Sequence, residues 1–291
     1  MFFLASTIKN SDSKSQMIKI KPNEYEILRA FIKQKCGINL GENKSYLIET
    51  RLSDLVLEYG FSNYLDFYKR AEKDLSLIER IIDAMTTNET FWFRDTAVWQ
   101  VISDKIIFDI VEKVKNKKKV KVWFAASSSG QEVYSFLMML NEFLEKTRQK
   151  YLLDMFEFIA TDISPSVLFQ AKSARYSGIA MERGLPVFFK QKYFIEKDKI
   201  WHFDSNLKNR VSFKKFNLQE SYSWLGSLDL VFLRNVLIYF SPETKREIIQ
   251  KTAERLESGS PLILGSTESI RDFSDKFSIV SQNSVIINYR K

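Results

Sequence analysis

Val120-Lys-Val-Trp-Phe-Ala-Ala-Ser-Ser-Ser-Gly-Gln-Glu132, running straight into Val133-Tyr134-Ser135, decides how this chain is read. Val120 to Phe124 alternates and is apolar enough for a buried strand. Ala125 to Gly130 carries only small side chains, and Gln131 to Glu145 has helical periodicity. In α/β proteins a strand, a small-residue turn and a helix bring bare backbone against a ligand at the carboxyl end of a sheet. No lysine follows the glycine, so the pattern is not the phosphate-binding GxxxxGK(S/T). Glu132 also argues against phosphate and suits a ligand with hydroxyls or positive charge. Taken alone, the stretch is equally compatible with a simple tight turn.

Downstream, Phe156-Glu-Phe-Ile-Ala-Thr-Asp162 reads as a second strand ending in an acid, the position where such folds hold ribose hydroxyls. Ser164-Pro165 opens the next helix. Val211 to Phe216 is a third strand with Asn217 at its tip, and Leu228 to Leu233 a fourth, running into Arg234-Asn-Val-Leu-Ile-Tyr239. Thr244 to Glu257 is helical, Pro261 to Gly265 is a fifth strand, and Phe277 to Tyr289 is a closing hairpin. Residues 177–209 differ in texture, with Gly184, Pro186 and short alternating runs such as Ile200-Trp-His-Phe203, and read as an inserted β-rich subdomain. The alternation predicts a mostly parallel sheet with helices on both faces.

Upstream lies a helical region with no chemistry of its own. Residues 1 to about 19 read as a loose tail. Asn23 with Glu26 forms a capping box for a first helix that Gly37 stops. A second helix runs from about Lys44 to Tyr59, a short third opens at Ser62, and a fourth spans Leu75 to Met85 with Leu75, Ile78, Ile81, Ile82 and Met85 inward. Thr86-Thr-Asn-Glu-Thr-Phe-Trp-Phe-Arg-Asp95 follows. Its Arg94, beside three aromatics, suits a partly dry pocket where a guanidinium binds a carboxylate, or else caps a linker on a solvated face. Ala97 to Lys115 is another helix, and Lys117 to Lys119 a solvated turn.

With 291 residues the chain has room for about two domains. A single cysteine, Cys36, rules out an internal disulfide and fits a reducing compartment. One histidine, His202, leaves little scope for a zinc site or a histidine-based hydrolase. Met1 to Ala5 is too short for a signal sequence, and no run approaches the roughly 18 apolar residues of a membrane span. A cytoplasmic protein is expected. The net charge of +8 favours an acidic partner without choosing its kind.

With these residues on the page, the chain resembles the CheR family of chemotaxis receptor methyltransferases. Thr86 to Asp95 is similar to the family's TTNxTxFFRD, and Ala125 to Ser135 to its AxxxGEEPYS, with Gln131 in place of the first acid. Ala160-Thr-Asp-Ile-Ser164, Arg234-Asn-Val-Leu-Ile-Tyr-Phe240 and Leu264-Gly-Ser-Thr-Glu-Ser269 resemble its ATDIS, RNVxIYF and LGxxES blocks, in the same order. The resemblance implies an all-α N-terminal domain (20–86) before a Rossmann-like methyltransferase domain (87–291) that carries a small antiparallel β-subdomain at about 178–209. It implies S-adenosylmethionine as donor, S-adenosylhomocysteine as product, no metal, and glutamate side chains of chemoreceptor cytoplasmic domains as acceptors. It also implies a monomer that neither inserts in a membrane nor binds nucleic acid.

A glutamate, with a pKa of about 4.3, is already ionised at neutral pH, so transfer needs neither metal nor general base. It needs positioning, which is worth roughly 7–11 kcal/mol. Arg94 and Tyr239 are the candidates for holding the acceptor carboxylate, Tyr239 being otherwise a core aromatic. Asn88, Thr90, Arg94, Glu132, Asp162, Asn217, Leu218, Asn235 and Val236 are the candidates for the donor. Two alternatives come from other classes. Nucleic-acid amino-methyltransferases carry a D/N-PP-Y/F tetrapeptide where this chain has Arg234-Asn-Val-Leu, and the cytosine-C5 kind needs a catalytic-domain cysteine. The second alternative is a non-catalytic module that binds the donor or the receptor. It draws on Gln131 and on the second helix, where Arg51-Leu52 is followed by Asp54 and Glu58 rather than basic residues. The run Ile195-Glu-Lys-Asp-Lys-Ile200 lacks the glycine-containing loop of members that hold a receptor's C-terminal peptide. Docking is therefore expected through Lys44, Arg51, the lysines at 117–119 and the overall charge.

Overall fold

The computed structural model describes residues 17–116, 119–271 and 275–291; most of the expected tail and part of the turn at 117–119 lie outside them. Four helices come first: α1 (Pro22–Cys36), α2 (Ser45–Glu58), α3 (Tyr64–Ala71) and α4 (Leu75–Met85). Pro22 takes the first helical position, where a missing N–H is no loss, and the Glu24 carboxylate receives the Lys21 N–H at 2.9 Å. The cap expected at Asn23 and Glu26 therefore sits two residues earlier. Gly37, at φ 78°, ends α1 in the left-handed conformation glycine allows. Asn63 rather than Ser62 caps α3, accepting from the Asp66 N–H. Leu28, Ile32, Ile48, Leu52, Ile81 and Met85 meet in the core of this unit. Leu75 does not join them. It is 81% exposed, because it follows the Asp74 cap on a turn that faces water.

α5 (Thr96–Val101) runs through a π-helical turn, Ile102–Ile106, into α6 (Ile107–Asn116). β1 (Val120–Ala125) then enters the sheet. Its alternation sends Val122 and Phe124 into one apolar layer and Trp123 and Ala125 into another, as a period of two requires when both faces are covered. The buried Trp123 indole is satisfied by Thr161 Oγ1 at 3.0 Å. α7 (Gln131–Lys146) follows, then a short 3-10 turn, β2 (Phe156–Asp162) and α8 (Pro165–Ser173).

The segment expected to be β-rich is about half helical. β3 (Arg175–Tyr176) precedes it, and α9 (Ile179–Glu182) and α10 (Val187–Tyr193) come before the hairpin of β4 (Phe194–Lys197) and β5 (Ile200–Phe203). The three strands form an antiparallel sheet ordered β3-β5-β4. Asp198 and Lys199, at φ 51° and 63°, make a two-residue turn between β4 and β5, the geometry that matches strand twist.

After α11 (Ser205–Lys208) the chain supplies β6 (Val211–Lys215), β7 (Leu230–Leu233), α12 (Pro242–Arg255), β8 (Pro261–Leu264), β9 (Phe277–Gln282) and β10 (Val285–Arg290). The main sheet is ordered β6-β2-β1-β7-β8-β10-β9, parallel from β6 to β8 and antiparallel thereafter. From β1 the chain winds outward through β2 and β6, then returns to the other side of β1 with β7. The order reverses between β1 and β7, and ligands of such sheets sit outside the carboxyl ends at that point.

Candidate active site

A cleft opens at this switch point, where open α/β sheets place their small-molecule sites. Its floor is the set of turns leaving β1, β2, β6 and β7, and its roof is the loop between α4 and α5. The helical unit contributes a wall through Cys36 and Ile38. All ten residues singled out from sequence line it: Asn88, Thr90 and Arg94 from the roof; Glu132 from the first turn of α7; Asp162 at the end of β2; Asn217 and Leu218 after β6; Asn235, Val236 and Tyr239 after β7.

The turn after β1 shows why small residues are needed. Ala126, Ser128 and Gly130 have φ of 55°, 49° and 90°. At Gly130 a Cβ would also stand 3.1 Å from both the Ala171 Cβ and the Tyr134 ring. The Asp162 carboxylate fixes this turn: Oδ2 accepts from the Ser128 N–H at 2.8 Å and Oδ1 from the Ser164 N–H at 3.0 Å. Each oxygen keeps accepting capacity for a ligand. Burial pushes the Asp162 carboxyl above its ordinary value, while the backbone N–H groups pull the other way. Ser127 Oγ is buried in the same wall without a partner among the described residues. A buried orphan hydroxyl and an acid with lone pairs to spare fit a ligand bearing hydroxyls and a polar tail, as the ribose and amino-acid ends of S-adenosylmethionine do.

Glu132 is held by a residue absent from the sequence-based set. Arg234, 5% exposed, donates to Glu132 Oε2 at 2.5 Å, to the Arg94 carbonyl at 2.7 Å and to Asp95 Oδ2 at 3.0 Å. Burial raises the Glu132 carboxyl, against the pull of the Arg234 guanidinium. This network fastens the roof to the sheet where the roof is strained: Phe93 and Asp95, on either side of Arg94, sit at φ 49° and 64°, uncommon for residues with bulky side chains. Glu268 is the other brace. It accepts the N–H groups of Asn235, Leu237 and Gly265 at 2.7, 2.8 and 2.9 Å. Both braces lie in blocks the sequence marks, but only their long-range contacts reveal what they hold.

Arg94 donates to the Glu89 carbonyl at 2.9 Å and lies 5.5 Å from the Phe91 ring centroid. It is partly exposed on the cleft wall rather than capping a solvated face. Tyr239 is partly exposed too, so it is not the core aromatic that was its alternative. Its carbonyl accepts from the Asn39 N–H at 2.8 Å, and no hydrogen bond engages its hydroxyl among the described residues. Asn217 lines the cleft with its amide already engaged, donating to the Lys35 carbonyl at 2.9 Å and accepting from the Gln219 N–H at 3.0 Å. Cys36 forms part of the wall, and burial pushes its thiol up to about 11, far from a reactive thiolate. Among the described residues no cluster of His, Cys, Asp or Glu has the makings of a metal site, and no helix is long and apolar enough to cross a membrane.

A sheet wound in this order, with an acid-bearing cleft over its switch point, is that of an S-adenosylmethionine-dependent methyltransferase domain. Residues 88–286 match the family described as CheR methyltransferase, SAM binding domain, and residues 23–86 match CheR methyltransferase, all-alpha domain. The chain is 39% identical over 266 residues to chemotaxis protein methyltransferase 1 of Pseudomonas aeruginosa, covering 91% of this chain and 96% of that one. It is 40% identical over 273 residues to chemotaxis protein methyltransferase 1 of Vibrio cholerae, covering 93% and 98%. To the chemotaxis protein methyltransferase of Borreliella burgdorferi it is 35% identical over 269 residues, covering 90% and 93%. The chain belongs to the CheR methyltransferase family.

Proposed function

We propose that the protein methylates glutamate side chains in the cytoplasmic domains of chemoreceptors, forming γ-methyl esters and releasing S-adenosylhomocysteine. The observation that carries this reading is the division of one cleft between two kinds of group. Asp162, Glu132 and the orphan Ser127 hydroxyl lie at the turns after β1 and β2, while Arg94 comes from the roof and Tyr239, its hydroxyl unengaged among the described residues, from the turn after β7. The donor supplies an electrophilic methyl on a sulfonium whose sulfur keeps the bonding electron pair, so a carboxylate oxygen attacks without giving up a proton.

The protein's share is therefore orientation. Asp162 receives the ribose hydroxyls, and Glu132 faces the cationic end of the donor. Asn88, Thr90, Asn217, Leu218, Asn235 and Val236 frame the rest through side chains, backbone and packing. Arg94 and Tyr239 hold the incoming carboxylate, and the Arg234 network sets the position of Arg94. Too tight a pairing with Arg94 would dull the nucleophile, so the role of Arg94 is alignment rather than neutralisation. The protein acts in this reading as a cytoplasmic monomer without a metal. The test is transfer of a radiolabelled methyl group to chemoreceptor-containing membranes. Label released by mild base marks a glutamate ester, and base-stable label or none rejects the reading.

A further inference from the structure

Resting on that reading, we propose that Arg183 is a second carboxylate-binding guanidinium at the mouth of the acceptor site, and that Glu89 occupies it in the free protein as an internal stand-in for the acceptor glutamate. Glu89 lies in the cleft roof. Its carbonyl accepts from Arg94 Nη1 at 2.9 Å, and its carboxylate pairs with Arg183 Nη1 at 2.7 Å. The guanidinium carbons of Arg183 and Arg94 lie 4.1 and 5.5 Å from the centroid of the Phe91 ring, itself part of the cleft lining. Beside an aromatic wall the Glu89 carboxylate thus rests on Arg183, and its main chain on Arg94. The carboxylate of a methyl acceptor would meet the same Arg183 guanidinium at the entrance. The Arg183 guanidinium, with Arg94 adding to it, also holds the Glu89 carboxyl below its ordinary value, so the place favours an ionised glutamate.

Arg183 is delivered there by built geometry. It closes α9, and Gly184 follows at φ +81°, where a Cβ would stand 2.1 Å from the Trp92 carbonyl oxygen. Only a residue without a side chain lets the subdomain rest on the backbone of the Arg94 loop. The Trp92 indole fastens the contact from the other side, donating to the Ala180 carbonyl at 2.7 Å. Arg183 is therefore fixed relative to Arg94, whereas its bond to Glu89 is not deeply held: the two side chains are 49% and 56% exposed. An exposed ion pair contributes little net stability, so exchanging Glu89 for a glutamate of the same chemistry on another protein is close to balanced.

Opposite signs test the proposal. Initial rates of label transfer to chemoreceptor-containing membranes, measured over a range of receptor concentration, are compared for the wild type, Arg183→Ala, Arg183→Lys and Glu89→Gln. Removing a charge-assisted bond is expected to raise KM for receptor about tenfold in Arg183→Ala. Arg183→Lys, which keeps charge but loses the fork, falls between. Glu89→Gln frees Arg183 and lowers KM by about threefold, a modest gain fitting the small worth of an exposed pair. Calorimetric affinity for S-adenosylhomocysteine stays unchanged in all three. A KM that rises alike in Glu89→Gln and Arg183→Ala, with melting temperatures falling together, would show a structural strap and overturn the proposal. A KM unmoved by any of them does the same. Should Arg183→Ala fold poorly, Arg183→Lys and Glu89→Gln still decide the sign. Absence of base-labile product from the wild-type protein overturns the functional reading and this inference with it.

Discussion

Asp162 receives a backbone N–H on each carboxylate oxygen, so its removal has two separable effects. In Asp162→Ala the lost ligand bonds are worth about 1.5–3 kcal/mol, and affinity for S-adenosylhomocysteine should weaken by roughly one to two decades in calorimetry. The Ser128 and Ser164 N–H groups are also left without their acceptor, so the melting temperature should fall too. Unchanged affinity would remove Asp162 from the site. Its raised pKa adds a pH dependence whose sign differs between the two measurements. In the free protein the proton is bound more readily folded than unfolded, so the group's contribution to stability is full below the ordinary value of 3.8 and is lost as pH rises through the folded value. Ligand binding uses the ionised form, so affinity falls as pH drops through the same window. Tyr239→Phe should lower the methylation rate while leaving both donor affinity and melting temperature near the wild type, since its hydroxyl engages no described residue. Methylation at the native rate would exclude the hydroxyl from the chemistry.

Among the elements, the turn after β7 depends on β8. At Gly265 a Cβ would stand 2.6 Å from Asn235 Nδ2 and 2.9 Å from Glu268 Oε2, so both side-chain ends must shift, and Oε2 is already tied to the N–H groups of Asn235 and Gly265. Gly265→Ala should therefore displace the Asn235 turn and weaken S-adenosylhomocysteine binding by about tenfold or more, given that three N–H groups share the Glu268 brace. Binding at native strength would show that the turn yields without cost. At this scale the sequence was most legible where local rules and burial agree. β2 and α4 have the bounds their patterns predict, and β1 differs only at its last residue, because a doubly covered strand is apolar throughout and an amphipathic helix between caps is periodic. It was least legible where distant contacts decide. The π turn in Ile102–Ile106, the helices of the inserted segment and the burial of Arg234 depend on neighbours far along the chain. Most of the cleft residues were legible through their motif blocks, Asn217 and Leu218 only through their place after β6, and Cys36 and Ile38 not at all. The braces behind them, Arg234, Asp95 and Glu268, were visible only as letters of those blocks.

For the whole molecule, part of the docking surface expected from sequence is tied into internal contacts. Arg51 is engaged inside the protein, donating to the carbonyls of Met85 and Thr86 at 2.5 and 3.3 Å and to Thr87 Oγ1 at 2.8 Å. It clamps the end of α4 to the cleft roof through neutral oxygens, so its side chain is held in place while its positive charge is not cancelled. Glu58 in turn is paired with Arg80 by two bonds of 2.6 Å, so α2 is less acidic than its own sequence reads. What faces an acidic receptor is Lys44, the uncancelled charge of Arg51 and the overall +8, the lysines at 117 and 118 lying outside the described residues. Attraction between exposed charges is screened beyond about 8–10 Å at physiological salt. Methylation of receptor membranes should therefore slow steeply as salt rises, while S-adenosylhomocysteine affinity barely changes. Deleting the receptor's C-terminal tail should leave the rate alone, since only two residues separate β4 from β5. Tight binding of that tail as a peptide, or a salt-independent rate, would place recognition elsewhere.

Gly37 ends α1 against the ring of Phe240, which a Cβ would approach to 2.8 Å, and Cys36 and Ile38 beside it form part of the cleft wall. Asn217 reaches Lys35, and Asn39 reaches Tyr239, across the same seam. The helical unit is thus one wall of the container and not a detachable adaptor in front of it. That limits what recombination can do with this architecture. A hybrid joining the first 86 residues of one relative to the remainder of another inherits a seam cut through its cleft, and it will keep its affinity for S-adenosylhomocysteine only where both parents agree at Gly37, Asn217 and Phe240.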